Sequence, residues 1–274
     1  MIDNSLIESG IERANSIFKI RVPVKTKSKN QFIGPAKYDF IEDSVELFST
    51  FIKEYCSKFN SEDKIITHAI CHEFGHAKES RYFAEGGIFP FYLKISKISK
   101  ITKPISLSLH RLNNSIGYIM NGLIDYSIDY ELKNFNIKNV AAKYKINLMQ
   151  KNLILKNSNK KKSGPTEKLQ ALFNLTIDIG YYDFAELTDL EKEVIVDYYK
   201  YNELFDKWSS IKSIMKSRNF GEVDNFYETM QSLFLELIGI EVSSNSHSRA
   251  ELTAKFGSLP PFWKKDDYQL LYIG

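Results

Sequence analysis

The 274-residue sequence predicts a mainly helical α+β fold with a small β-sheet. Apolar residues recur every three to four positions along most of the chain, the period of an amphipathic helix. Only two short segments, Phe18–Val24 and Phe89–Ile95, alternate with the period of a half-buried strand. Hydrophobic residues make up 43% and charged residues 26%, the balance of an ordinary globular chain rather than a disordered one.

The first helix is expected near residues 2–16, where Ile2, Leu6, Ile7, Ile11 and Ala14 share one face. In the first strand segment Phe18, Ile20, Val22 and Val24 alternate with Lys19, Arg21, Pro23 and Lys25. Pro23 has no amide proton to give a ladder, so this strand belongs at a sheet edge. Gly34-Pro35 marks a turn. Ile41, Val45, Phe48, Ile52 and Tyr55 then predict an amphipathic helix, and Asn60-Ser61 ends it and caps a second at about 62–81. Glu62 and Asp63 occupy the first turn of that helix, where a carboxylate suits the helix dipole.

Gly86-Gly87 and Pro90 break the pattern before the second strand segment. Its alternation fades into Lys94, Lys97, Lys100 and Lys103, a basic stripe with the character of a solvated face. Helical spacing returns at about 106–134 through Ile116, Ile119, Met120, Leu123, Ile124, Ile128 and Leu132, and again at 139–155. Ser158 to Pro165 reads as an exposed loop or linker. Beyond it the pattern is helical almost throughout, with Thr188 and Glu191 spaced as a capping box and Phe205, Trp208, Ile211, Ile214 and Met215 forming an apolar stripe. The expected organisation is a core over 1–156, a loop at 157–166 and a helical extension over 167–274 that packs on the core.

Composition narrows the function. A net charge of +3 is too mild to imply a nucleic-acid partner, and no helical DNA-binding motif is present. No apolar run reaches the roughly 18 residues of a membrane span. The N-terminus lacks the basic-then-apolar pattern of a secretory signal. Cys56 and Cys71 form neither a CxxC pair nor a disulfide framework, as in a reducing compartment. The expectation is a soluble, cytoplasmic chain; its oligomeric state is not encoded in any pattern found.

Three of the five histidines, His68, His72 and His76, fall within nine residues. His72-Glu73-Phe74-Gly75-His76 is an HExxH sequence. Residues four apart lie on one helix face about 6 Å apart along the axis, so both imidazoles reach one Zn²⁺. Glu73 lies one position on, where its carboxylate meets water at the metal rather than the metal itself, the place of a general base. The flanking Ile65, Ile66, Ala69 and Ile70 suit a buried helix. His68 is about 12 Å along the axis from His76, too far to share the ion, and is expected either to support the ligands from behind or simply to fill the core.

A catalytic zinc needs a third protein ligand and an open position. The HExxHxxGxxH pattern of metzincins fails, because positions 79 and 82 are Glu79 and Tyr82. A carboxylate from another helix remains. Asn121, Asp125 and Asp129 form a polar stripe on the apolar helix at 106–134, and two acids there are costly to bury unless paired or bound to metal. Glu79 and Glu131 are alternative ligands.

These residues resemble a family. HExxH followed by an acid-xxx-Asp helix looks like the gluzincin type of zincin metallopeptidase, over about residues 60–135. The resemblance implies a zincin-like core, one Zn²⁺ per chain and a peptide or protein substrate. It implies Glu73 as catalytic base, His72, His76 and Asp125 as ligands, and Asp129 as the partner that orients His72, with Asn121 and His68 behind. Position 125 is Asp where the family has Glu, so the two helices must approach more closely. The Asn-xxx-Asp-xxx-Asp spacing is also similar to metallopeptidase domains of uncharacterised prokaryotic proteins in which an Asp is the third ligand. The aspzincin sequence GTxDxxYG is absent.

Two other classes compete. A di-iron carboxylate protein needs two ExxH pairs, and Glu73-xx-His76 is the single one. A non-catalytic zincin fold, binding metal or a partner in a regulatory or structural role, would have no use for Glu73. Tyr118, Tyr126, His110, His247 and Arg249 stand equally as donors to a transition-state oxyanion. The edge segment Phe18–Val24 is a candidate for aligning a peptide by strand addition.

Overall fold

The structure is a computed structural model describing residues 3–28, 34–59, 61–95, 109–140, 142–158, 163–239 and 241–273. Over these residues the chain is mainly helical, with two small mixed sheets. The first helix, α1 (Asn4–Phe18), starts where the Asp3 carboxylate accepts from the Ser5 amide and stops at Lys19, whose φ of 55° is left-handed. The strand expected over Phe18–Val24 is displaced. Phe18 closes α1, and β1 begins only at Val24 and runs to Lys27. The alternation had a different cause, since Phe18 and Val22 are both buried in the core from non-strand backbone.

Strand β1 pairs in parallel with β3 (Ser44–Phe48), which pairs antiparallel with β2 (Ala36–Asp39), so β1 and β2 are the two edges. The helix expected from Ile41 to Tyr55 is therefore corrected to a strand followed by α2 (Ser49–Phe59). All five residues of β3 are buried, so this central strand shows no alternation to betray it. The HExxH segment lies in α3 (Glu62–Gly86), ended by Gly87 at φ 77°. Ser61 precedes it but does not cap it; its hydroxyl donates to the Phe59 carbonyl instead.

After β4 (Ile88–Ile95) come α4 (Leu109–Lys133), α5 (Ala142–Ser158), α6 (Pro165–Phe184), α7 (Asp189–Tyr201), α8 (Phe205–Lys216) and α9 (Val223–Ile238). The Thr188–Glu191 capping box forms at the start of α7. The lysines at 97, 100 and 103 and residues 159–162 of the expected linker lie outside the described residues. The C-terminal region is not wholly helical. It carries β5 (Val242–Ser248), α10 (Arg249–Phe256) and β6 (Asp267–Ile273), and β6 is the middle strand of a second sheet ordered β4-β6-β5. Among the described residues no helix is long and apolar enough to cross a membrane.

Candidate metal centre

Two helices build the site, and one glycine sets their distance. Gly75 of α3 lies so close to α4 that an added Cβ would stand 2.4 Å from Ile128 Cγ2. A glycine inside a helix costs about 1 kcal/mol relative to alanine, so its presence here calls for a packing reason, and the Ile128 contact supplies it. The close approach answers the short arm of Asp125. On the far side of α4, Gly122 similarly lies against Thr176 of α6, where a Cβ would stand 2.3 Å from Oγ1.

On the facing surfaces His76 Nε2 lies 3.0 Å and His72 Nε2 3.4 Å from Asp125 Oδ1. The ligand atoms of His72, His76 and Asp125 all lie within 4.8 Å of one another. Behind them Asp129 Oδ1 lies 2.9 Å from His72 Nδ1 and 3.3 Å from His68 Nε2. His68, Asp129 and His72 are a second group within the same 4.8 Å limit. Exposure separates the two groups. The side chains of His72, His76 and Asp125 are 14%, 21% and 30% exposed, against 8% for both His68 and Asp129. The first trio can be reached from solvent; the second is an internal support.

The charges are strongly coupled. Burial opposes the charged form of His72, but the carboxylates of Asp129 and Asp125 overcome it and hold its pKa well above the ordinary imidazole value. Burial likewise pushes Asp125 up, and hydrogen bonds from His72 and His76 outweigh it, leaving the carboxyl at about 2. Burial opposes the charged form of Asp129 too, yet the charge of His72 and the bonds to His68 and His72 hold it below the usual carboxylate range. Once His72 loses a proton, Nδ1–H keeps its bond to Asp129 and Nε2 presents its lone pair to the Asp125 side.

Glu73 Oε2 accepts the backbone N–H of Tyr38 at 2.6 Å, so the carboxylate is fastened to edge strand β2. The Tyr38 hydroxyl donates to Asp43 at 2.8 Å, and Asp43 binds Arg81 of α3 at 2.8 Å, which locks that strand to the helix. The strand beside the site is thus β2, not the Phe18–Val24 segment.

The remaining candidates go elsewhere. Asn121 is exposed one turn before Asp125, and no hydrogen bond from it to the trio is found among the described residues. Glu79 is bound by Arg218 at 2.9 and 3.0 Å and by the Gly221 amide at 3.2 Å, so it is no free ligand. Glu131 belongs to neither of the two candidate groups. Tyr118 is exposed, Tyr126 donates to Asp183 at 3.0 Å, and His247 lies between Tyr272 and Glu251 on the second sheet. Arg249 starts α10, and the side chain of His110 lies outside the described residues.

Tyr181 of α6 feels the charge of the site with no hydrogen bond to the trio among the described residues. Burial, and then the charges of Asp178 and Asp125 with a smaller contribution from Asp129, raise its phenol above the ordinary range. Nothing in its spacing from HExxH announces it; it is brought near by the packing of α6 on α4. Cys56 and Cys71 are both free, as expected, and Cys71 is buried. The chain matches no family model, and neither curated proteins nor solved structures gave a match.

Proposed function

We propose that this chain is a zinc-dependent metallopeptidase of zincin type, holding one Zn²⁺ through His72, His76 and Asp125. The observation that carries the proposal is the convergence of these three donors within 4.8 Å on two helices locked together at Gly75. Two imidazoles and one carboxylate form a donor set suited to zinc, and three protein ligands are the number a catalytic site uses. Zinc bound there supplies Lewis acidity and water with a pKa near about 7.

The protein's own groups do the rest. Asp129 holds His72 in the tautomer that faces the trio, and His68 holds Asp129. Glu73 has one oxygen on the Tyr38 amide and keeps the other to take a proton from the attacking water and return it to the leaving amine. Outward amides alternate along an edge strand, so Ala36 faces the same way as Tyr38. A peptide substrate added to β2 would run beside Glu73 with its backbone aligned by that edge.

Metal analysis with peptidase assays tests this. The purified chain should hold about one zinc, and Asp125→Ala should lose most of it. Glu73→Gln should keep the metal and lose about 10²–10⁴-fold in hydrolysis. A native protein that neither holds nor takes up zinc would overturn the proposal. Stoichiometric zinc without hydrolysis by the unmodified chain would assign it instead a non-catalytic metal-binding role.

A further inference from the structure

A cavity of about 400 Å³ lies along the C-terminal half of α4, away from His72, Glu73, His76 and Asp125. Its size is at the lower end of small-molecule sites, about 300–1,000 Å³. Three aromatic residues line it. Tyr126 packs on Phe184 with ring centroids 4.8 Å apart, and Tyr130 does so at 6.0 Å. Tyr130 is nevertheless 56% exposed, leaving ring surface turned to solvent.

The charge around this cavity is unbalanced. Asp183, the carboxylate in its wall, is already answered by the Lys212 ammonium and the Tyr126 hydroxyl. Arg218 is paired with Glu79, and its Nε and Nη1 are buried without an acceptor. Lys133 and Lys216 also line the cavity, and neither forms an ion pair among the described residues. Lys133 Nζ sits 5.8 Å from the Phe184 ring centroid, at the border of the aromatic surface. The surplus is positive and lies beside exposed ring surface.

We propose that this cavity binds a small organic anion, a carboxylate or phosphate monoester on a flat, ring-sized apolar body. Its charge faces Lys133 and Lys216, and its ring packs on Tyr130 and Phe184. The charged end alone, or the ring alone, uses only half of the site.

Calorimetric titration of the full chain tests this with four probes: phenyl phosphate, benzoate, inorganic phosphate and benzyl alcohol. Phenyl phosphate and benzoate should bind at least about tenfold more tightly than the two fragments, given what one ring contact is worth. Their affinity should fall with added salt. Lys133→Glu with Lys216→Glu should abolish saturable binding, and Tyr130→Ala should weaken it, with thermal midpoints unchanged because all three side chains are exposed. Inorganic phosphate binding as tightly as phenyl phosphate would overturn the proposal. So would full affinity in the double variant, absence of binding by any probe, or binding that disappears on chelation and therefore belongs to the metal centre.

Discussion

At the scale of single residues the centre is a set of partly buried charges whose protonation is linked to stability. His72 has a folded pKa above its unfolded value of about 6.5. Its ion pairs therefore add stability that is complete below about pH 6.5 and is lost as pH rises through the folded value. Asp125, at about 2, adds stability that is complete above its unfolded pKa and is lost as pH falls toward about 2. The metal-free chain should then be most stable between about pH 4 and 6.5. Zinc needs the imidazole neutral, so the stabilisation it adds should grow as pH rises. Thermal melts at pH 5, 6, 7 and 8, with chelator and with zinc, read both trends. A metal-free midpoint that climbs steadily to pH 8 would contradict the first, and a zinc increment independent of pH the second. Asp129→Asn keeps the shape but removes the carboxylate that fixes the His72 tautomer, and should weaken zinc about 10–100-fold in chelator competition. His72, Glu73 and His76 were legible because helix geometry alone sets their spacing. The Tyr38 amide on Glu73 was not, because no local pattern tells which strand will cross the HExxH helix.

Among elements the decisive contact is α3 against α4. Helices are readable when one face is apolar, and α1 and α4 declared themselves in that way. Strand β3 did not, because a strand covered on both faces offers no period, and its Val45 and Phe48 joined with Ile52 to imitate a helix. Strand β5 is a polar edge, and β6 meets β4 across more than 170 residues of sequence, a pairing that only the folded chain defines. Gly75 carries no local signal beyond its place in HExxH; its function as a spacer needs the partner helix. Gly75→Ala should force Ile128 and α4 outward, at about 1–3 kcal/mol for the overpacking, partly offset by the roughly 1 kcal/mol gained in helix propensity. The movement carries Asp125 away from His72 and His76, so zinc affinity should fall more than stability does. Ile128→Ala in the same chain makes room for the added methyl and should restore much of the affinity, which a double-variant cycle by zinc titration measures. Equal zinc affinity in Gly75→Ala and the parent would mean that the glycine does not set the helix distance.

Across the whole molecule the supports of the candidate metal centre come from distant stretches of the chain. One buried cluster runs from Ala14 through Phe74 and Ile128 to Trp263 and Leu271. Strand β6 completes the sheet that β4 begins, so residues on both sides of the expected loop at 157–166 share one sheet and one buried cluster. A fragment ending at residue 166 should lack cooperative unfolding, and the full chain should unfold in one urea transition. The Glu79–Arg218 pair makes the same linkage at one point. Glu79 follows His76 by one turn of α3, Arg218 lies just beyond α8, and their side chains are 1% and 0% exposed. Burial raises the Glu79 carboxyl despite the guanidinium beside it, so the pair is strained toward neutrality. Arg218→Met should cost about 3–5 kcal/mol, because it leaves a carboxylate buried without a counter-charge. Glu79→Met together with Arg218→Met removes both charges and should recover most of that loss. The single variant's deficit should shrink as pH falls, since a protonated Glu79 needs no cation. Urea unfolding at pH 5 and pH 8 separates these cases. A deficit below about 1 kcal/mol, or one equal at both pH values, would show that the pair is not what fastens the C-terminal helices to α3.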